Sequence, residues 1–313
     1  MLKIALAQIA PVWLDRAATL TKVIDYVGRA AAGGAGLVVF GETILPGYPF
    51  WLDGTGGARF NDPVQKDLFA HYAEQAVCLE EGHLDALTAR CAALNIACVI
   101  GIVERPLDRS GTSVYCSLVY IDERGEIRNV HRKLQPTYEE RLVWSPGDGH
   151  GLRTFPIGGF QLGGLNCWEN WMPLPRAALY GAGETLHVAI WPGNVRNTEI
   201  LTRFLAREGR SYCVSVSGLF RREDVPDIQP HRDLILANLP NVSADGGSCV
   251  ANPDGSWLVP PSVGEESLTF ADLDPREVLR ERQNFDPAGH YSRPDVTELR
   301  VDRRRQTTVH FTQ

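Results

Sequence analysis

The chain alternates short, almost wholly apolar runs with longer stretches in which apolar residues recur every three or four positions. LKIALAQI at 2–9 reads as a strand, closed by Pro11. Over 16–32, Leu20, Val23, Ile24, Val27 and Ala31 share one helical face, and Gly-Gly-Ala-Gly stops the helix. LVVF at 37–40 is a short apolar strand that ends at Gly41 and Glu42. Leu84, Leu87, Cys91 and Leu94 line a second helix over 83–95, and ACVIGIVE at 97–104 is the next strand. SVYCSLVYID and IRNVHRKL flank the turn Glu123-Arg124-Gly125 as a hairpin. Strands are predicted at 160–166, 186–191, 211–219 and 247–259, the last with a Pro253-Asp254-Gly255 turn. Helices are predicted at 197–209 and near 275–281, with irregular chain from 282.

This order predicts an α/β fold with helices laid over mixed sheets. No linker rich in Pro, Gly or Ser divides the chain, so one domain over 1–295 with a tail at 296–313 is the simpler organisation. A chain of this size buries roughly 75% of its unfolded surface and needs neither disulfides nor a structural metal to fold.

Composition removes several function classes. Among 313 residues, 31 Lys+Arg face 38 Asp+Glu, which gives a net charge of −7 and no basic field for nucleic acid. No apolar run approaches the ~18 residues that span a bilayer. The seven cysteines are odd in number, lack C-x-x-C spacing and sit mostly in apolar stretches, which favours a reducing cytoplasm. The N-terminal apolar run, with one Lys and no small-residue cleavage site, reads as a strand and not as a signal peptide. The chain has no phosphate-binding glycine loop, H-E-x-x-H or G-x-S-x-G, and no histidines at metal-ligand spacing. His187 and His290 read as a strand histidine and a hydrogen-bonded loop group. The arginines at 303–305 read as a solvated tail.

Three stretches remain, each an apolar strand that ends in a reactive residue. LVVFGETILPGYPFW presents Glu42, RNVHRKLQPTYEERLVWSPGDG presents Lys133, and FQLGGLNCWENWMPL presents Cys167. Strand ends followed by Gly, Pro or aromatic loops are where α/β proteins display site residues. Singly, each is ordinary: a solvated cap, a surface cation, a buried filler. Together they form a chemically complete set. Cys167 supplies a nucleophile, Glu42 a general base, and Lys133 a cation that lowers the thiol pKa and stabilises developing negative charge.

These three motifs, in this order, resemble those of the nitrilase superfamily, and the likeness runs from residue 2 to about 295 through IWPG and DPAGHYSRPDV. The resemblance implies a four-layer αββα sandwich and a Glu42-Lys133-Cys167 triad. It also implies a second glutamate in the lysine loop, matched here by Glu140 ahead of the adjacent Glu139. CWEN, PGYPFW and PTYEER resemble the nitrile-hydrolysing branch more than the aliphatic amidases or carbamoyl-amine hydrolases. The implied reaction takes a small-molecule nitrile to the acid through a cysteine thioimidate and thioester, without metal or organic cofactor. Trp168, Tyr48, Tyr138 and Trp191 are the expected substrate-binding aromatics. The resemblance further implies a homodimer or higher homo-oligomer. The chain stops at Gln313, so a long spiral assembly is not expected.

Overall fold

The computed structural model describes residues 1–309. The first half lays down β1 (Leu2–Gln8), α1 (Arg16–Ala32) and β2 (Leu37–Phe40). Helices α2 (Trp51–Gly54), α3 (Pro63–Gln75) and α4 (Asp85–Leu94) follow, then strands β3 (Ala97–Glu104), β4 (Tyr115–Ile121) and β5 (Ile127–Arg132). Asp15 caps α1 by accepting from the Ala18 N–H, and Gly33 closes it. The second half supplies β6 (Phe155–Ile157), β7 (Phe160–Asn166), α5 (Pro173–Gly181), β8 (Leu186–Trp191) and α6 (Val195–Gly209). It continues with β9 (Tyr212–Ser217), β10 (Leu219–Arg221), α7 (Arg232–Asn238), β11 (Val242–Ala251) and β12 (Trp257–Val263). Strand β13 (Ser267–Leu273) returns to the first sheet, and α8 (Pro275–Arg282) follows it.

Two mixed sheets result. The first has six strands in the order β13-β1-β2-β3-β4-β5, and the second has seven, with β10-β11-β9-β8-β7-β6 in line and β12 on β11. Strand alternation decides which side chains go where. Leu2, Ile4, Leu6, Leu37 and Val39 from the first sheet meet Leu186, Val188, Ile190, Val214 and Val216 from the second in the central layer. The intervening residues face outward. Ala5, Ala7, Val38 and Cys98 pack under α1 and α4, while Ala189, Cys213 and Ala251 pack under Leu201, Leu205 and Ala206 of α6. Both faces of each central strand are covered, which is why those strands read as unbroken apolar runs. Each such buried aliphatic side chain contributes roughly 1.5–3 kcal/mol. This is the αββα sandwich that the motifs implied.

Helices α2, α3, α5 and α7 and strands β6 and β13 were not anticipated. Asp62 followed by Pro63 is a helix-start signal, and Asp62 does cap α3 through the N–H groups of Val64 and Gln65. The tail is less solvated than expected. The Arg305 guanidinium donates to Asp148 at 3.1 Å and to the Val130 carbonyl at 2.8 Å, which holds this arginine against the chain's own surface. His290 is exposed, with its ring edge-on to Tyr291 rather than in the expected hydrogen bond. His187 is buried in β8 as a strand histidine.

Candidate active site

Topology brings the three motif residues to one end of the molecule. Strands β1, β2 and β3 run parallel, and two reversals through β4 make β5 point the same way. Glu42 follows β2 and Lys133 follows β5, so both emerge at the same edge. In the other sheet β7 and β8 are parallel, and Cys167 follows β7. The edges meet where the Glu42 N–H donates to the Trp191 carbonyl at 3.0 Å, a main-chain bond from one sheet to the other. Gly41 permits this closeness, since a Cβ there would lie 2.8 Å from the Gly218 nitrogen and 3.0 Å from the Trp191 carbonyl oxygen. Gly101 of β3 makes room for the 41–43 segment within its own sheet. A Cβ on Gly101 would lie 2.5 Å from the Gly41 carbonyl oxygen and 2.6 Å from the Glu42 Cα.

Within the site, Lys133 Nζ donates to Glu140 Oε2 at 2.7 Å and lies 3.0 Å from Glu42 Oε1. All three side chains are buried. Glu140 also accepts from the Tyr48 hydroxyl at 2.9 Å and from the Thr137 N–H at 2.6 Å. Glu140 is thus the glutamate in contact with Lys133, while Glu139 lines a neighbouring cavity. The sulfur of Cys167 and carboxylate oxygens of Glu42 and Glu140 all fall within 4.8 Å of one another. That spacing would suit a bound cation, and the Lys133 ammonium already bonds both carboxylates. The Cys116 thiol, absent from the sequence reading, donates to Glu42 Oε1 at 3.4 Å. Glu42 Oε2 is buried and has no hydrogen-bond partner.

Burial sets the protonation states. It pushes the Glu42 carboxyl up to about 7, helped by the Glu140 charge and opposed by Lys133. Burial also lifts the Cys167 thiol well above its ordinary range, and Glu42 adds to it. Lys133 and the Trp168 backbone N–H, which reaches the sulfur, oppose the rise without cancelling it. Lys133 does lower this thiol's pKa, as expected, but burial and the Glu42 charge outweigh it. Lys133 itself stays a cation: burial disfavours its charge, but Glu42, Cys167 and Glu140 outweigh burial. The arrangement is a protonated thiol beside a carboxylate poised near neutrality, with a fixed positive charge between two carboxylates.

Cys167 sits on a sharp turn with φ of 45°, in the left-handed region that costs a non-glycine residue roughly 1–2 kcal/mol. The turn is held from two sides. Glu169 accepts from His131 Nε2 at 3.1 Å, from the Leu134 N–H at 2.8 Å and from the Asn166 N–H at 2.9 Å. One buried carboxylate thus ties the residues around Lys133 to the residue before Cys167. Burial alone would raise its pKa, but His131 and the two N–H groups hold it below the ordinary range. On the other side, the Asn170 amide donates to the Cys167 carbonyl at 2.8 Å and accepts from His187 Nε2 at 2.7 Å. His187 Nδ1 in turn lies 2.9 Å from Glu184. Sequence reasoning missed these supports, although Asn166-x-x-Glu169 is a capping-box pattern that could have signalled the first.

The expected aromatics separate. Tyr48 lines a cavity of about 400 Å³ beside the site, with Phe50, Glu139, Pro192, Asn194 and Asn197 also in its wall. Trp168 is half exposed next to Cys167. Trp191 does not line the cavity. It is fully buried beneath Cys167 against α6, and its indole N–H donates to Ser215. Tyr138 is 81% exposed and stands outside the cavity wall. A larger groove of about 670 Å³, by Leu2, Asn95 and Phe160, lies at the opposite ends of the parallel strands and holds no nucleophile.

The carbon-nitrogen hydrolase family model matches residues 3–282. The chain is 37% identical over 310 residues to Nitrilase 2 of an unknown prokaryotic organism, covering 98% of this chain and 95% of that one. It is 33% identical over 321 residues to an aliphatic nitrilase of Rhodococcus rhodochrous, covering 99% and 81%. A variant of the amidase from Nesterenkonia sp. AN1 shares the fold at a TM-score of 0.66 and 20% identity, over 91% of this chain and 98% of that one. With a family match along nearly its whole length and nitrilases among its full-length relatives, the chain belongs to the carbon-nitrogen hydrolase family, in its nitrilase branch.

Proposed function

We propose that the chain hydrolyses organic nitriles to carboxylic acid and ammonia, with Cys167 as nucleophile. The observation that carries this reading is the buried thiol of Cys167 within 4.8 Å of the Glu42 and Glu140 carboxylates, with Lys133 3.0 Å from Glu42. Burial pushes the Glu42 carboxyl up to about 7, which suits a general base at neutral pH. The nitrilase names of the full-length relatives support nitrile over amide as substrate.

Glu42 Oε2 takes the Cys167 proton as sulfur adds to the nitrile carbon. The proton passes to nitrogen and gives the thioimidate. Lys133 and the Trp168 N–H stabilise the negative charge that develops on nitrogen, and later on oxygen. Water then adds, assisted by Glu42, to form a tetrahedral intermediate that carries hydroxyl, amine and sulfur. Protonation of the amine releases ammonia and leaves the thioester. A second water frees the acid and restores the thiol. Glu140 orients Lys133 throughout. Expulsion of sulfur in place of ammonia would give the amide, so the charge balance among Glu42, Lys133 and Glu140 sets the product ratio. Tyr48 and Phe50 supply apolar wall for the substrate's organic group, and Trp168 flanks the sulfur.

Intact-mass analysis of enzyme quenched during turnover tests the covalent route. The expected result is a thioimidate or thioester adduct on a peptide containing Cys167, absent in Cys167→Ala. Turnover with no adduct at that residue would overturn the assignment.

The same reading includes self-association as a homodimer. Trp171, Leu174, Ile200 and Phe204 are exposed on and beside α5 and α6, which the stacking of Arg176 on Phe204 brings together. An apolar face of this kind supports an interface between two copies.

A further inference from the structure

Cys116 is a buried thiol that the proposed reaction does not use, yet it touches two of its groups. Its carbonyl accepts from the Lys133 N–H at 2.8 Å, and its thiol donates to Glu42 Oε1 at 3.4 Å. Glu42 Oε1 therefore holds both Lys133 and Cys116, while Oε2 is buried with no partner. We propose that Cys116 is a positioning residue for Glu42: its S–H, with Lys133, pins Oε1, leaves Oε2 as the working oxygen, and sets how readily the carboxylate takes a proton. This rests on the reading of Glu42 as the general base.

The physical case is one of donors. A carboxylate that accepts a hydrogen bond is favoured in its charged form, and a thiol is a weak donor. The groups facing Glu42 are Lys133 after β5, Glu140 in the turn that follows, Cys167 after β7, Cys116 in β4, Tyr48 after β2 and Tyr72 in α3. Burial keeps the Cys116 thiol and both tyrosines protonated through the neutral range, and the surrounding negative charges keep Lys133 so. Cys116 is therefore a constant donor, and the group that burial pushes up to about 7 is Glu42.

Two substitutions of similar size should act in opposite directions. Cys116→Ala removes the donor, and Cys116→Ser replaces it with a stronger one. The acid limb of kcat/KM is expected to move up by about half a pH unit in Cys116→Ala and down by about as much in Cys116→Ser. KM should change little in either. The limb is measured on nitrile turnover and, without substrate, on the rate at which iodoacetamide alkylates Cys167, followed by peptide mass. If Cys116→Ala does not fold, Cys116→Val supplies the arm without a donor. Opposite shifts support the assignment. Unmoved limbs, or shifts of the same sign, overturn it and point to packing alone. A wild-type enzyme inert toward nitriles would count against the proposed function, whereas opposite shifts in the alkylation limb would still support the role of Cys116.

Discussion

Glu42 lies with all but a trace of its side chain out of water, next to one cation and one other carboxylate. Its proton therefore comes off about where a cell holds its pH. The sign of the consequence is fixed: Glu42 must be ionised to accept the thiol proton, so kcat/KM falls as pH drops through about 7. A pH–rate profile checks this, and an acid limb near the ordinary carboxylate range would contradict it. At this scale the sequence was informative about identity and silent about surroundings. The sequence singled out Glu42, Lys133, Glu140 and Cys167 because each stands in a distinctive local string, and the fold brings the four together. Cys116 was not, since nothing in VYCSLVY distinguishes a core cysteine from one that faces a carboxylate. Trp191 was misread for the same reason. A tryptophan at the end of a strand can face the cavity or the helix behind it, and only strand register decides, here in favour of α6.

The strained turn at Cys167 depends on elements that contribute no reacting atom. Glu169 is the main tie, because it joins three donors from two separate segments. Removing it leaves His131 buried opposite nothing and frees the buried Asn166 N–H and the half-buried Leu134 N–H. Glu169→Ala is expected to destabilise the fold by about 3–5 kcal/mol. Urea unfolding measures this, and Glu169→Gln, which keeps an acceptor oxygen, should lose less. A change within experimental error in Glu169→Ala would show that the turn is held by Asn170 and His187 alone. Element boundaries were legible where both faces of a strand are buried, as in β3 and β8, or where one helical face is, as in α1. Strand β13 was missed because it lies at a sheet edge and buries only two of its residues fully. Helix α3 hid behind a mixed surface, with only Leu68 and Tyr72 fully buried.

At the level of the whole molecule, the first sheet takes β1 to β5 and the late strand β13, the second takes β6 to β12, and the reacting groups, at the carboxyl ends of strands, are divided between them. Glu42 and Lys133 come from one sheet and Cys167 from the other, so the site exists only when the sandwich is closed. The helices that cover the second sheet leave Trp171, Leu174, Ile200 and Phe204 exposed. Leu174→Asp combined with Phe204→Asp is expected to convert a dimer to a monomer by sedimentation velocity; an unchanged species would place self-association elsewhere. The alternation of strands and helices was enough to read the layers, but not this face, because exposure is a property of the assembled surface. The central claim is that this site opens the carbon–nitrogen triple bond. It is tested most directly by product analysis on aliphatic, aromatic and arylaceto-nitriles, each beside its matching amide, with Cys167→Ala as control. The account predicts acid and ammonia from nitriles, little turnover of amides and a dead variant. Turnover of amides without nitriles would contradict it.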